Sequence, residues 1–525
     1  MNQENVKAQS NPLLGAFNTP YETAPFEKIK NEHFIPAFQE SIKAGETEIQ
    51  AILENKDTPT FENTIAALDN AGRLLGRTAG VFFNLLSAET NEELQTIAQE
   101  VSPMLTKFQN DITLNPALFA RVKAVYEQKN TLDLTAEQQT LLENTFKNFV
   151  RSGANLSDEQ KEQFRKISTE LSVLSLKFDQ NVLKETNRFE LHITDEAQLA
   201  GLPESAMEAA AGKAKEKEKE GWIFDITQPS YIPFMTYADN RDLRRKMYMA
   251  YMSKSFQGNE QDNQENVKNI VRLRLEMAQL LGYKNYADYV LEQRMAMNPA
   301  GVYQLLDDLY AASFDVAQKE KAEIEEYAKE LGFDGEIMPW DWSYYSEKLK
   351  VKKFDLNDEM LKPYFELNRV VDGVFGLATE LYGITFKPNK NIPVYHKEVV
   401  PYEVFDADGK FLSVLYTDFH PRPGKQGGAW MNDFKGQWKE NGKDSRPHVV
   451  IVMNFTRPTE TKPALLTFRE VETLMHEFGH ALHGMLANST YSGLSGTSVY
   501  RDFVELPSQI MENWAVEKDF LDRFA

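Results

Sequence analysis

Between Val471 and His483 the chain reads Val-Glu-Thr-Leu-Met-His-Glu-Phe-Gly-His-Ala-Leu-His, and no other stretch restricts its fold and chemistry as tightly. Leu474, Met475, Phe478, Ala481, Leu482, Met485 and Leu486 recur at helical intervals, which predicts a helix with one face in a core. Residues four apart lie on the same helical face one turn apart, so His476 and His480 present two imidazoles to one point, with Glu477 beside them. Such a His-Glu-x-x-His helix is a zinc signature in which the Glu serves as general base. With only 8 His in 525 residues, a chance match inside an apolar helical pattern is a poor explanation.

A catalytic zinc takes three protein ligands of N, S or O type and keeps a fourth position open. The chain has no Cys, so the third ligand is His, Asp or Glu. The extended three-histidine signature needs Gly at 483 and His at 486, where this chain has His483 and Leu486. What remains is the gluzincin arrangement, a Glu supplied by a following helix. After a loop-like run, Asn488-Ser-Thr-Tyr-Ser-Gly-Leu-Ser-Gly-Thr497, the residues Arg501 to Lys518 carry Phe503, Val504, Leu506, Ile510, Met511 and Trp514 in a pattern compatible with a helix. Glu505, near its start, is the expected third ligand. His483 shares the face of the other histidines, but a rigid helix makes a third ligand from one face awkward, so it is read as a packing or ligand-supporting residue. Glu512 and Gln509 share the face of Glu505, and either orients a ligand or is simply solvated.

The runs His476-Glu-Phe-Gly-His-Ala-Leu-His-Gly-Met-Leu, Ser495-Gly-Thr and Arg501-Asp-Phe-Val-Glu-Leu-Pro-Ser-Gln-Ile-Met-Glu-Asn-Trp resemble the M3 family of zinc oligopeptidases. So does Asp418-Phe-His-Pro-Arg-Pro-Gly-Lys-Gln-Gly-Gly-Ala-Trp-Met431, and the combination is most similar to the family's peptidyl-dipeptidases. The resemblance implies a mainly α fold, two helical lobes around a deep substrate channel, with a small β-sheet near the active site. It implies one Zn2+ held by His476, His480 and Glu505. It also implies hydrolysis of short unstructured peptides, with release of C-terminal dipeptides, by a zinc-activated water with Glu477 as general base. Members of the family carry further Tyr and His donors beyond the point matching Ala525, so the resemblance implies that this chain lacks part of its oxyanion stabilisation.

Substrate binding is expected at Gly427, Gly428 and Ala429, where glycine permits close main-chain approach. Val449 to Phe455 reads as a buried strand, with Phe411 to Phe419 as its neighbour. The formal net charge of −21 disfavours nucleic acid and anionic membranes, whose affinity comes from Lys and Arg, and admits attraction of cationic peptides. No apolar run is long enough to span a bilayer, and the first residues lack a signal core; the expectation is a cytoplasmic monomer, with a periplasmic location as the alternative.

Along the chain, residues 1–15 read as a polar tail, 16–221 as an N-terminal helical region and 222–525 as the zinc catalytic region, truncated at its C-terminal end. Thr58-Pro59 predicts the cap and first residue of a helix running from Phe61 to Leu86. Thr135 and Ser157 each open a capping box, the second leading a long amphipathic helix. The alternating charges of Lys213 to Glu220 read as a solvated helix or connector before a short strand at Trp222. Helices are expected over 240–253, 263–281, 299–331 and 361–381. Two other functions stand beside the peptidyl-dipeptidase, a gluzincin aminopeptidase and an inactive zinc- or peptide-binding protein.

Overall fold

Local capping and apolar periodicity account for most of the helices in the computed structural model, which describes residues 11–525. Thr135 Oγ1 accepts from Gln138 N while the Gln138 carboxamide accepts from Thr135 N, and Ser157 and Gln160 repeat this reciprocal box. The helices Ala136–Arg151 and Asp158–Arg188 start there, as the sequence predicts. The expected start at Thr58-Pro59 is corrected. Thr60 caps instead, exchanging hydrogen bonds with Asn63, because that pair satisfies two otherwise orphaned donors. The helix is also broken. Gly72, at φ 77°, separates a first piece ending at Asn70 from Arg73–Ala88.

Of the expected tail, residues 1–10 lie outside the described residues, and residues 11–15 pack on the domain. Leu13 is fully buried, and the Asn11 amide donates to His33 O at 2.8 Å. The boundary at 221/222 crosses a hydrophobic cluster in which Leu191, Ile193 and Leu199 pack with Phe224, Phe234 and Met247. Strands β1 (Leu191–Ile193) and β2 (Trp222–Phe224) pair antiparallel across it. Helices follow at Arg241–Met252, Gln264–Leu280 and Pro299–Glu330. The helix expected over 361–381 starts later, at Leu367, where Glu366 accepts from Asn368 N and Arg369 N.

The remaining strands are β3 (Thr385–Pro388), β4 (Val400–Phe405), β5 (Phe411–Asp418), β6 (Trp430–Lys435), β7 (Trp438–Glu440), β8 (Lys443–Ser445) and β9 (His448–Val452). Five of them form a sheet in the order β3-β4-β5-β9-β6, with β5 and β9 parallel and β6 on the edge. Strand β9 is buried on both sides, which is why the run Val449–Val452 that follows its opening His448 is wholly apolar. Val449 and Ile451 belong to the apolar cluster that includes residues of the helices Leu367–Tyr382 and Phe468–Met485, whereas Val450 and Val452 belong to the one that includes Phe34, Phe82 and Val101 from the N-terminal helices. One short strand therefore ties the N-terminal and C-terminal parts into one core through its two-residue period. The protein is mainly α with this small mixed sheet, and among the described residues no helix is long and apolar enough to cross a membrane.

His448 opens β9 fully buried, its Nε2 paired with Tyr21 O at 3.1 Å, and loss of solvent holds its pKa well below the ordinary value. The unfolded chain binds a proton there near pH 6.5 and the native state does not, so stability is present above that pH and is lost as pH falls below it. We expect His448→Gln to remove up to about 1.4 kcal/mol per pH unit of acid sensitivity between pH 6.5 and 5.5. Urea midpoints at the two pH values measure it, and equal pH slopes in both proteins would refute it.

Candidate metal centre

The helix Phe468–Met485 is fixed at its start before any ligand appears. Thr467 accepts from Glu470 N, and the half-buried Glu470 carboxylate takes Thr467 N at 2.8 Å and Thr456 N at 2.6 Å, which ties the helix to the chain leaving β9. Val471, Leu474, Met475, Phe478, Ala481, Leu482 and Met485 lie in the core, at no more than 4% exposure. That burial sets the rotation of the helix and turns His476 and His480 to the opposite side, towards the helix Glu505–Glu512.

Glu505 Oε2 lies 3.2 Å from His476 Nε2 and 3.1 Å from His480 Nε2, and all three donor atoms fall within 4.8 Å of one another. Zinc bonds of 2.0–2.1 Å in a tetrahedron put donor atoms roughly 3.3 Å apart, so two nitrogens and a carboxylate oxygen at this spacing fit such an ion. Glu505 Oε2 is steadied by Ser508 Oγ at 2.9 Å. The Nδ1 of His476 reaches Glu512 Oε1 at 2.6 Å, which fixes the ring so that its Nε2 faces Glu505. Glu512 is thereby resolved as a ring-orienting neighbour of His476, where the sequence left two readings. His483 stands apart from the cluster with its Nδ1 buried and unpartnered, and burial lowers its pKa.

Glu477 is 5% exposed, and its buried Oε2 has no partner among the described residues. Burial pushes its carboxyl up to about 7, with His476 opposing and Glu505 adding to the rise. A cation held by the neighbouring ligands would draw it back down. Desolvation likewise lowers His480, with Glu505 opposing. This suits ligation, which needs neutral imidazole.

The two helices meet at Gly479. A Cβ there would sit 2.6 Å from Pro507 O and from Ser508 Cα, so only glycine lets the Glu505 helix come this close. Gly479→Ala should cost about 1–3 kcal/mol of stability. It should also weaken zinc binding by about tenfold, because Glu505 moves with its helix. Urea denaturation and chelator competition read the two effects, and no change in either would sink this account.

Gly427, Gly428 and Ala429 form the bend that enters edge strand β6. Gly428 has φ 99°, which favours glycine, and a Cβ on Gly427 or Gly428 would meet nothing within 4 Å, so this backbone borders open space. Met431, three residues on, packs against Gly484, one turn past His480. Two anchors that the sequence did not reveal hold the bend. The Asn454 amide donates to Gln426 O at 2.9 Å and Gly428 O at 2.7 Å. Buried Lys425 donates to Asp418 Oδ1, His420 O and Met453 O. Burial pushes Lys425 down to about 8 against the pull of Asp418, while Arg422 and Lys425 hold Asp418 low although burial works to raise it.

The Peptidase family M3 pattern matches residues 234–525, and that of the Neurolysin/Thimet oligopeptidase N-terminal domain matches residues 38–161. The chain is 38% identical over 523 residues to the Dipeptidyl carboxypeptidase of Salmonella typhimurium, covering 98% of this chain and 76% of that one. It is equally 38% identical over 519 residues to the Oligopeptidase A of Escherichia coli, with the same coverage. Against a Probable cytosolic oligopeptidase A of Arabidopsis thaliana it is 36% identical over 528 residues, 98% of this chain and 74% of the relative. Matched over more than half its length by that pattern and by such relatives over nearly all of it, the chain belongs to peptidase family M3 and is a metallopeptidase.

Proposed function

We propose that the protein is a zinc peptidyl-dipeptidase, holding one Zn2+ on His476, His480 and Glu505 and releasing dipeptides from the C-termini of short unstructured peptides. The observation that carries this reading is the convergence of two imidazoles and a carboxylate beside a buried, unpartnered Glu477 oxygen. Zinc supplies a Lewis acid that polarises the scissile carbonyl and acidifies the attacking water. Glu477 accepts the proton as the water oxygen bonds to the carbonyl carbon, then delivers it to the amine nitrogen as the C–N bond breaks. Glu512 holds the His476 ring, and the Leu474 and Phe478 side of the helix excludes water from behind the site. Gly427, Gly428 and Ala429 offer backbone to an extended peptide lying along the β6 edge.

In this reading residues 222–525 carry the chemistry and residues 16–221 form a helical region packed on it. The protein acts as a cytoplasmic monomer, with the periplasm as the alternative location. A second reading, an endo-acting oligopeptidase, is favoured by the equal identity to the Dipeptidyl carboxypeptidase and Oligopeptidase A relatives. Peptides blocked at one terminus separate the two. Loss of cleavage on amidating the C-terminus supports dipeptide release, unchanged internal cleavage supports the oligopeptidase, and loss on blocking only the N-terminus overturns both.

A further inference from the structure

A cavity of about 280 Å³ opens between the helices Arg73–Ala88, Glu92–Thr113 and Asp158–Arg188, and Gln426 closes one side of it. Leu86, Leu176 and Leu183 contribute apolar wall, while Gln95 and Asp179 are among its polar lining residues. Gln95 is 9% exposed, and its buried Oε1 has no partner among the described residues. Its neighbour Gln180 is already committed, donating to Gln95 O and accepting from Gln99. Asp179, an exposed residue, lines the cavity, and among the described residues it has no hydrogen-bond or ion-pair partner; partial loss of solvent raises its carboxyl. A buried acceptor without a partner is costly, and a cationic donor entering the cavity would satisfy it while pairing with the free carboxylate of Asp179. The apolar walls match the methylene stem of Lys or Arg, which buries its chain and carries its charge to the far end.

The place of the cavity ties it to the peptide path. Gln426 N donates to Ser87 O at 2.9 Å, and Gln426 leads directly into the Gly427-Gly428 bend and on to Met431, beside the metal helix. Met431 lies five positions after Gln426. An extended chain covers at most roughly 17 Å over that span, so a peptide running along β6 would place a side chain at the cavity within about five residues of the cut.

We propose that this cavity is a subsite for a basic side chain of the bound peptide, with Asp179 and Gln95 taking its ammonium or guanidinium. The proposal rests on the peptidase reading above. The test uses the zinc-loaded full chain and a series of peptides identical except for one Arg, or its uncharged counterpart norleucine, moved through successive positions. At one position Arg should raise kcat/KM by about tenfold over norleucine in the wild type. Asp179→Asn should abolish that advantage and leave the norleucine peptides unchanged, and Gln95→Met should reduce it. An arginine advantage that survives in both variants, or that appears at no position, overturns the subsite while leaving the peptidase intact. Failure of the wild type to cleave any peptide overturns the peptidase reading, and the subsite with it.

Discussion

Glu477→Gln is expected to lower kcat on a cleaved peptide by about a thousandfold, within the range attributed to general acid–base catalysis, while the protein keeps one equivalent of zinc. The substitution preserves shape and removes the one property the proposed mechanism uses, the capacity to accept a proton from water and return it to the leaving amine. Fold and metal site should survive. Glu477 is 5% exposed and its Oε2 has no partner, so burial already works against charge at this position, and a neutral amide of the same size relieves that cost. The urea midpoint of the zinc-free variant should therefore be no lower than that of the wild type. Elemental analysis and steady-state kinetics decide the matter. Turnover within tenfold of wild type, with zinc bound, would remove Glu477 from the mechanism.

Glu505→Ala has the second large effect, on metal rather than on chemistry. It deletes the oxygen that lies 3.2 Å and 3.1 Å from the two histidine nitrogens and leaves two donors on one helical face. Zinc affinity should fall by more than a hundredfold, beyond the ten- to hundredfold loss typical when an outer hydrogen-bond partner is removed. Activity should vanish at metal concentrations that saturate the wild type. Chelator competition gives the affinity directly, and a loss smaller than about tenfold would show that another residue supplies the third ligand.

Much of this protein was legible because its signals are local. Helical period alone placed His476 and His480 on one face and their apolar neighbours in the core, and reciprocal caps at Thr135 and Ser157 marked two helix starts within one residue. The buried strand at β9 was readable for a related reason, since a strand covered on both faces favours a continuous apolar run, here Val449–Val452. Local reading failed where alternatives compete at short range. Thr58-Pro59 is a plausible start, yet the Thr60–Asn63 pair satisfies more backbone donors and wins. The Glu505 helix begins at the proposed ligand itself rather than at Arg501, because residues 501–504 are taken up by turns.

Sequence by itself thus determined which side chains face together within each helix, and so which nitrogen and carboxylate donors the chain can present from one face. Only the tertiary structure decided which helices approach one another. The contact of Gly479 with Pro507 and Ser508, the bond between His476 and Glu512, the Asn454 clamp on Gly428 and the cavity of Asp179 all join residues brought together by packing. The reason is physical: period and capping are set by hydrogen bonds a few residues long, whereas the distance between two helices is set by every side chain that must fit between them.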